Sequence, residues 1–237
     1  MTRIGVVQFP GSNDERDAVW ALGLLGADAE LLWHGDADLR GVDAVVLPGG
    51  FSYGDYLRCG AIARFSPAMG SVVSFAERGG LVLGICNGFQ VLCEAGLLPG
   101  ALVRNAGLAF VCEAVNVRVE DTGSPFLGRA RPGDVLRIPI KHGEGRYVAA
   151  AATIEAMERR GQVALRYCDA SGAVVPESNP NGSTGGIAGI RNEAGNVFGL
   201  MPHPEHAVDP ASGIRSDGGA AVLGSLLDAL AAAPAGA

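Results

Sequence analysis

Residues 81–90 have the sequence LVLGICNGFQ, and this stretch decides the fold expected of the whole chain. The run Leu81–Ile85 holds no polar side chain, as is typical of a strand buried on both faces of a sheet. A helix is predicted to begin near Asn87 and to continue to Ala95. Apolar runs followed by helical stretches recur through the first half of the chain. They predict a parallel sheet covered by helices on both faces.

The second half has a different pattern, in which apolar and polar residues alternate as they do in half-exposed strands. Two runs around Asn192–Asn196 predict a hairpin. We therefore expect an α/β fold, with a mostly parallel central sheet flanked by helices and an antiparallel extension. No linker separates the halves, so residues 1–237 are predicted to form a single domain, with a frayed tail over 231–237. The predicted strands are 4–9, 30–33, 44–47, 81–85, 110–119, 135–140, 163–167, 187–191 and 197–201, and the predicted helices are 12–25, 60–78, 87–95, 153–160 and 217–230.

Composition excludes several classes of protein. The net charge of −7 disfavours nucleic-acid binding, which needs a basic face. No run reaches the roughly 18 apolar residues of a membrane span, so no membrane partner is expected. Lys141 is the only lysine, and the chain has no Walker-type phosphate loop. Glycine contributes 36 of the 237 residues with no three-residue period, which predicts many tight turns and close backbone approaches.

The cysteines indicate a reducing environment. Their number is five, which is odd, and no two form a C-x-x-C pair. This pattern fits neither a disulfide scaffold nor a zinc knuckle, and no metal site is predicted. The chain also shows no secretory signal, so we expect a cytoplasmic location.

The segment Gly84–Gly88 follows the pattern G-x-C-x-G at the predicted junction of strand and helix. This is the cysteine version of the nucleophile elbow, in which a tight turn presents the nucleophile at the end of the sheet. The first N–H groups of the helix and its dipole favour a thiolate there. An isolated cysteine is more often a buried core residue, but the two glycines and the junction favour a nucleophile.

A nucleophilic cysteine needs a base, and the base needs a group that orients it. If the chain stays extended after the predicted strand 197–201, His203 and Glu205 point to the same side. We therefore expect His203 to be the base and Glu205 to orient it, although a surface loop with incidental charges is the simpler alternative. His142 is a competitor, and His206 lacks a carboxylate two residues further on.

A thiolate that attacks a carbonyl carbon also needs donors for the developing oxyanion. Pro48-Gly49-Gly50-Phe51 ends a strand that should lie beside the elbow strand, and glycine there lets backbone N–H groups face the site. The N–H of Asn87, directly after the cysteine, is the natural second donor. An ordinary turn at the end of a strand would give the same sequence.

These motifs, in this order and spacing, resemble the class I (triad) glutamine amidotransferases, whose fold is flavodoxin-like. The resemblance runs from Ile4 to the last helix. It implies Cys86 as nucleophile, His203 as general base and acid, and Glu205 as orienting group. It further implies that Gly50 or Phe51 and Asn87 donate to the oxyanion and that Gln90 helps to hold glutamine. His206 stands where arginine is expected and Cys59 where a small residue is common, which leaves their roles open.

Longer segments are similar to one member of this class, a glutaminase subunit of purine biosynthesis. They are residues 49–58, 142–145, 179–183 and 199–205. The similarity implies that the chain hydrolyses glutamine to glutamate and ammonia. An ATP-dependent synthetase subunit would use the ammonia to convert formylglycinamide ribonucleotide to its amidine, and a small accessory subunit would assist assembly. No cofactor is expected in this chain, whereas ATP and Mg²⁺ are expected on the synthetase.

Three alternatives stay open at this point. The chain could be a stand-alone cysteine hydrolase, which leaves Gly49-Gly50 and His203-Pro204-Glu205 unexplained. It could serve a different synthetase, although the run Gly50–Arg58 argues against this. It could also be a non-catalytic scaffold that kept the fold, although an intact Cys86, His203 and Glu205 argue against decay. Residues 52–58 and 179–183 are interpreted as a docking surface rather than as ordered surface loops.

Overall fold

The computed structural model of the chain describes residues 2–211 and 214–232. The strands in this part are β1 (Arg3–Gln8), β2 (Asp28–Trp33), β3 (Ala44–Leu47), β4 (Leu81–Ile85), β5 (Ala101–Val103), β6 (Val111–Val119), β7 (Val135–His142), β8 (Arg146–Val148), β9 (Val163–Cys168), β10 (Ile187–Arg191) and β11 (Val197–Leu200). The helices are α1 (Glu15–Leu24), α2 (Pro67–Glu77), α3 (Asn87–Glu94), α4 (Ala151–Arg159) and α5 (Gly218–Ala232).

One nine-stranded sheet runs through both halves of the chain, in the order β2-β1-β3-β4-β11-β10-β9-β6-β7. The first five strands are parallel, and the hairpin β10–β11 reverses the direction so that the remaining strands pair antiparallel. The expected α/β fold, with a mostly parallel sheet and an antiparallel extension, is confirmed. The prediction of a single domain over 1–237 reaches beyond the described residues and stays a prediction.

The sequence pattern explains why β3 and β11 lie inside the sheet rather than at its edge. All four residues of β3 and all four of β11 are buried, because helices cover both faces and leave no face for polar side chains. In contrast, β6 and β7 alternate between buried and more exposed positions, as expected at the antiparallel edge. The hydrophobic core therefore continues along the sheet from one half of the chain to the other.

The helix predicted over 60–78 is shorter in the structure, and that prediction was wrong in its first turns. Residues Ala63–Phe65 form a short 3-10 turn, and α2 begins only at Pro67. Ser66 has an extended ψ of 150° because a residue that precedes proline is kept out of the helical region. Proline is tolerated in the first turn of a helix, where its missing N–H would have no partner.

Two further predictions differ from the structure at the level of small elements. The pair β5–β8 forms a separate two-stranded sheet that the sequence did not predict, because three-residue strands carry too little periodic signal. Of the predicted frayed tail, Ala231 and Ala232 belong to α5, and residues 233–237 lie outside the described part. Within residues 2–211 and 214–232, no helix is both long and apolar enough to cross a membrane.

Candidate active site

Three neighbouring parallel strands end at the same edge of the sheet, and each is followed by a predicted site residue. Strand β4 leads into Cys86, β3 into Gly50, and β11 into His203. The carboxyl ends of parallel strands form the usual binding edge of α/β sheets. The sheet order β3-β4-β11 therefore places the nucleophile between the expected oxyanion donors and the expected base.

The backbone at Cys86 has the strained geometry of a nucleophile elbow. Its φ of 50° and ψ of −103° lie outside the regions that a non-glycine residue normally adopts. The flanking glycines make this turn possible by allowing close packing. A Cβ on Gly88 would overlap the carbonyl oxygen of Leu47, and one on Gly84 would lie 2.8 Å from the Gly88 carbonyl. The sequence interpretation of G-x-C-x-G thus has a direct steric basis.

His203 and Glu205 form a buried pair, and each is only 1% exposed. His203 Nδ1 lies 2.6 Å from Glu205 Oε1, the distance of a strong charge-assisted hydrogen bond. The segment is not extended as the sequence argument assumed, because Pro204–His206 form a 3-10 turn. The turn, rather than strand alternation, brings the carboxylate back to the ring.

The charges around His203 decide its protonation. Burial lowers the pKa of the imidazole, but the charges of Glu205 and Cys86 and its bonds to these residues raise it, to about 10. The site therefore favours an imidazolium at neutral pH. Glu205 accepts a hydrogen bond from the Nδ1–H of His203, which leaves Nε2 for the chemistry.

A second carboxylate, Asp14, lies beside the same ring, and the sequence did not predict it. Its Oδ2 lies 3.7 Å from His203 Nδ1, and its Oδ1 accepts a hydrogen bond from Lys141 Nζ. Burial raises the pKa of Asp14, but its contacts with His206, His203 and Lys141 outweigh burial and hold that pKa well below its usual range. Among Asp14 and its partners, only Lys141 stood out in the sequence, because it is the single lysine.

The expected oxyanion donors are at the site, but they are not equivalent. The Phe51 N–H donates to the carbonyl oxygen of Gly11 at 2.8 Å, so it is already engaged. Gly50 lines the cavity beside Cys86. Asn87 begins α3, where the first N–H groups have no partner within the helix. The geometry therefore favours the Gly50 and Asn87 N–H groups over that of Phe51.

Gln90 is engaged at both ends of its side chain. Its Nε2 donates to the backbone oxygen of Glu144 at 2.6 Å, and its Oε1 accepts from Asn87 Nδ2 at 2.8 Å. The side chain lines the cavity and ties α3 to residues 142–145. In this arrangement it braces the cavity wall rather than offering a free amide.

One part of the cavity lining is acidic. Asp55 and Glu144 line the cavity there, and the Cys59 thiol donates to Glu144 Oε2 at 2.9 Å. Burial, aided by repulsion from Glu144, raises the pKa of Asp55. Burial and bonding to Glu144 also raise the pKa of Cys59. We call Asp55, Cys59 and Glu144 the acidic wall.

His142 and His34 lack the contacts that a catalytic base needs. His142 Nδ1 lies 3.2 Å from the Asn105 side-chain oxygen, and no carboxylate is its hydrogen-bond partner among the described residues. Burial and the charge of His203 lower the pKa of His142 to about 4. His34 Nδ1 lies 2.8 Å from the Tyr53 hydroxyl, outside the residues that line the cavity.

A group of possible metal ligands coincides with this site. Asp14, His203, Glu205 and His206 place ligand atoms within 4.8 Å of one another. Lys141 Nζ donates a hydrogen bond to Asp14 and lies 3.1 Å from His206 Nε2. The ammonium group of Lys141 therefore already provides a positive charge at this position. The expectation that no metal binds stays a prediction.

The cavity between the two walls has a volume of about 230 Å³. Pockets for drug-sized ligands have roughly 300–1,000 Å³, so this one suits a smaller molecule such as a single amino acid. Cys86 and His203 line this cavity together with the acidic wall. The arrangement can hold a small cationic molecule while a buried thiol and imidazole act on its other end.

Comparison with known proteins gives a consistent result over nearly the whole chain. A family model described as a CobB/CobQ-like glutamine amidotransferase domain matches residues 1–216. The PurQ subunit of phosphoribosylformylglycinamidine synthase from Moorella thermoacetica is 55% identical over 95% of both chains. The PurQ subunit from Gloeobacter violaceus is 58% identical over 91% of this chain and 93% of its own.

Solved structures agree with the sequence relatives. A chain in the structure of PurLQS from Thermotoga maritima is 43% identical, with a TM-score of 0.85 over 97% of this chain and 99% of that one. The glutaminase domain of Trypanosoma brucei CTPS with bound acivicin has a TM-score of 0.60 at 13% identity, over 98% and 94% of the two chains. The second likeness concerns the fold alone.

Proposed function

The chain belongs to the CobB/CobQ-like glutamine amidotransferase family and, within it, to the PurQ proteins, and on this premise we propose that it is the glutaminase subunit of a phosphoribosylformylglycinamidine synthase. It hydrolyses glutamine to glutamate and ammonia. A synthetase subunit uses the ammonia, with ATP and Mg²⁺, to convert formylglycinamide ribonucleotide to formylglycinamidine ribonucleotide. A small accessory subunit completes the complex, which works in the cytoplasm.

The observation that carries this proposal is the buried pair His203–Glu205 beside Cys86 on a strained elbow. The Cys86 sulfur, as thiolate, attacks the side-chain amide carbon of glutamine. The carbonyl oxygen becomes an oxyanion, which the N–H groups of Gly50 and Asn87 stabilise. His203 then gives its proton to the amide nitrogen as the carbon–nitrogen bond breaks. Ammonia leaves, and a glutamyl thioester remains on Cys86.

His203, now neutral, serves as base in the second half of the reaction. It takes a proton from a water molecule, whose oxygen attacks the thioester carbon. The carbon–sulfur bond breaks, glutamate leaves and the thiolate returns. Glu205 keeps the imidazole in the tautomer that presents Nε2 in both halves, and it stabilises the imidazolium each time one forms.

The acidic wall supplies a complement for the substrate's other end. Glutamine carries an α-ammonium group several bonds from its amide, and Asp55 and Glu144 offer carboxylates in the cavity that Cys86 also lines. The repulsion that raises the pKa of Asp55 is relieved when a cation lies between the two groups. The wall therefore orients the amide toward the thiol.

The loop over residues 52–58 forms the proposed docking surface for the synthetase. Of the predicted residues 179–183, Asn181 and Ser183 are buried and bond Gly145 and Tyr147, so they hold their segment in place rather than face a partner. Tyr56 and Leu57 are 74% and 91% exposed on the loop over residues 52–58, although both are large apolar side chains. The bidentate pair of Arg58 with Glu94, at 2.6 Å for each bond, anchors the loop to α3. An ordered, exposed apolar loop next to the cavity suits a partner that receives ammonia directly, because ammonia free in water at neutral pH is mostly protonated.

The test replaces the nucleophile and measures the two half-reactions separately. In Cys86→Ala, release of glutamate from glutamine by the assembled complex should fall at least about 10³-fold, because no thioester can form. Synthesis driven by added ammonium chloride should remain, because ammonia bypasses only the glutaminase step. Unchanged glutaminase activity in the variant would overturn the mechanism.

The same assay separates the alternatives. A stand-alone hydrolase would be equally active without the synthetase, whereas we expect the isolated chain to release glutamate weakly and the complex much faster. A scaffold subunit would show no glutaminase activity in either form. A subunit that serves a different synthetase would not support amidine formation from formylglycinamide ribonucleotide.

A further inference from the structure

Asp14 lies where a second anion can act on the imidazole of His203. It is 3% exposed, directly precedes α1, and comes from the opposite end of the chain to the pair His203–Glu205. Its Oδ2 lies 3.7 Å from His203 Nδ1, too far for a hydrogen bond but close for two charges. His203 is therefore flanked by two carboxylates. Of these two, only Glu205 accepts a hydrogen bond from its ring.

The placement of Asp14 is fixed by two bonds and by one empty space. Lys141, at the end of β7, donates to Asp14 Oδ1, and His206 Nε2 lies 3.3 Å from the same oxygen. Gly49 provides the space, because a Cβ there would overlap Asp14 Oδ2 and crowd the His203 ring. Three separate parts of the chain thus converge to hold this carboxylate against the ring.

We propose that Asp14 is a positioning residue of the triad, which stabilises the imidazolium of His203 while Lys141 and His206 hold it in place. This inference rests on the proposed glutaminase function. A negative charge at this distance favours the protonated ring, which is the form that pairs with the Cys86 thiolate and then protonates the leaving nitrogen. Lys141 opposes this effect by its own charge, so the two residues set the imidazolium's stability between them.

All charged or titratable groups near the ring enter this balance. Glu205 comes from the same turn, Asp14 precedes α1, and Cys86 follows β4. Lys141 and His142 end β7, and the His206 ring centroid lies 5.6 Å from that of His203. Of these, Asp14 and Lys141 can be changed without removing the nucleophile or the proton acceptor.

The test is the pH profile of kcat/KM for glutaminase in the assembled complex. In Asp14→Asn, we expect kcat to fall about tenfold with little change in KM. The alkaline limb should move to lower pH by about one unit, because the imidazolium loses a stabilising charge. In Lys141→Met the limb should move the other way, because a destabilising charge is removed. Lys141→Arg should keep it in place.

Asp28→Asn is the matched control, since it removes the same charge at an exposed side chain at the start of β2. It should leave the limb unmoved. Ammonia-driven synthesis by the Asp14→Asn complex reports whether the chain has folded and assembled. If that synthesis is intact and the limb does not move in Asp14→Asn or Lys141→Met, the inference is wrong, while the proposed function stands on wild-type and Cys86→Ala activity.

Discussion

The cavity has two walls, each with a buried cysteine, and their surroundings are opposite. Cys86 lies on a strained turn at the start of a helix, near an imidazole whose pKa is raised to about 10. The Cys59 thiol donates a hydrogen bond to Glu144, and burial, together with Glu144 and Asp55, raises the pKa of this thiol. Both side chains are 5% exposed, so burial does not distinguish them.

The two cysteines therefore differ in the charges of their neighbours, rather than in burial or in access to the cavity. On the Cys86 wall, a cation stands between carboxylates and a sulfur, and each charge has a partner. On the acidic wall, Glu144 is paired at 3.4 Å with Arg104, whose side chain is 77% exposed, whereas Asp55 has no cationic partner among the described residues. The first wall is built to hold an anion, and the second is built to receive a cation.

Removing the charge of Glu205 should reduce the difference between the two walls more than any other change considered. Glu205→Gln keeps the shape, but it removes the charge that raises the pKa of His203, so the two walls become more alike. We expect kcat of glutamate release to fall about 10²–10⁴-fold, with a smaller change in KM.

The measurement is steady-state glutaminase activity in the assembled complex, beside ammonia-driven synthesis as a check on folding. Glu193→Gln is a suitable control, because its carboxylate is exposed and pairs with Arg160 at the surface. A kcat within threefold of wild type for Glu205→Gln would mean that His203 does not depend on this partner.

A second test compares the two thiols directly by alkylation with iodoacetamide at pH 7.5. Cys86 should react at least about 100-fold faster than Cys59, because only the thiolate reacts and the acidic wall disfavours a thiolate. Peptide mass spectrometry must resolve the sites, since Cys112 is exposed and will also react.

The same experiment on His203→Gln tests the cause of the difference. Loss of the imidazolium should slow the alkylation of Cys86 and leave Cys59 unchanged. Equal rates for Cys86 and Cys59 in the wild type would contradict the assignment of the two walls.

The sequence predicted the Cys86 wall far better than the acidic one, for a physical reason. A nucleophile elbow is local, because five consecutive residues set its turn, its clearance and its place after a strand. His203 and Glu205 are also close in sequence, although a 3-10 turn rather than an extended chain brings them together. Local geometry of this kind is set by neighbouring residues and can therefore be predicted from the sequence.

Asp14 and the acidic wall depend on contacts that no local pattern records. Asp14 meets Lys141 across 127 positions, and Cys59 meets Glu144 across 85. The parallel half was predictable from continuous apolar strands, and the antiparallel half from alternation. The hairpin of β10 and β11 was predicted, but the pairing of β11 with β4 brings the two halves together, and that pairing follows from the tertiary fold alone.

The mildest test sharpens the role of the acidic wall by removing one of its charges. Glu144→Gln should raise KM for glutamine about tenfold, which corresponds to about 1.4 kcal/mol of binding free energy, and should leave kcat within about twofold. The reason is that Glu144 acts on the substrate's ammonium group and not on the reacting amide. The exposed Glu113→Gln is the charge-matched control.

Glutaramate, which is glutamine without its amino group, supplies the decisive ratio of kcat/KM between two substrates. Wild type should prefer glutamine strongly in kcat/KM, and Glu144→Gln should lose much of that preference by losing activity toward glutamine alone. If both substrates decline equally, Glu144 braces the cavity through Cys59 and Gln90 instead of binding a cation.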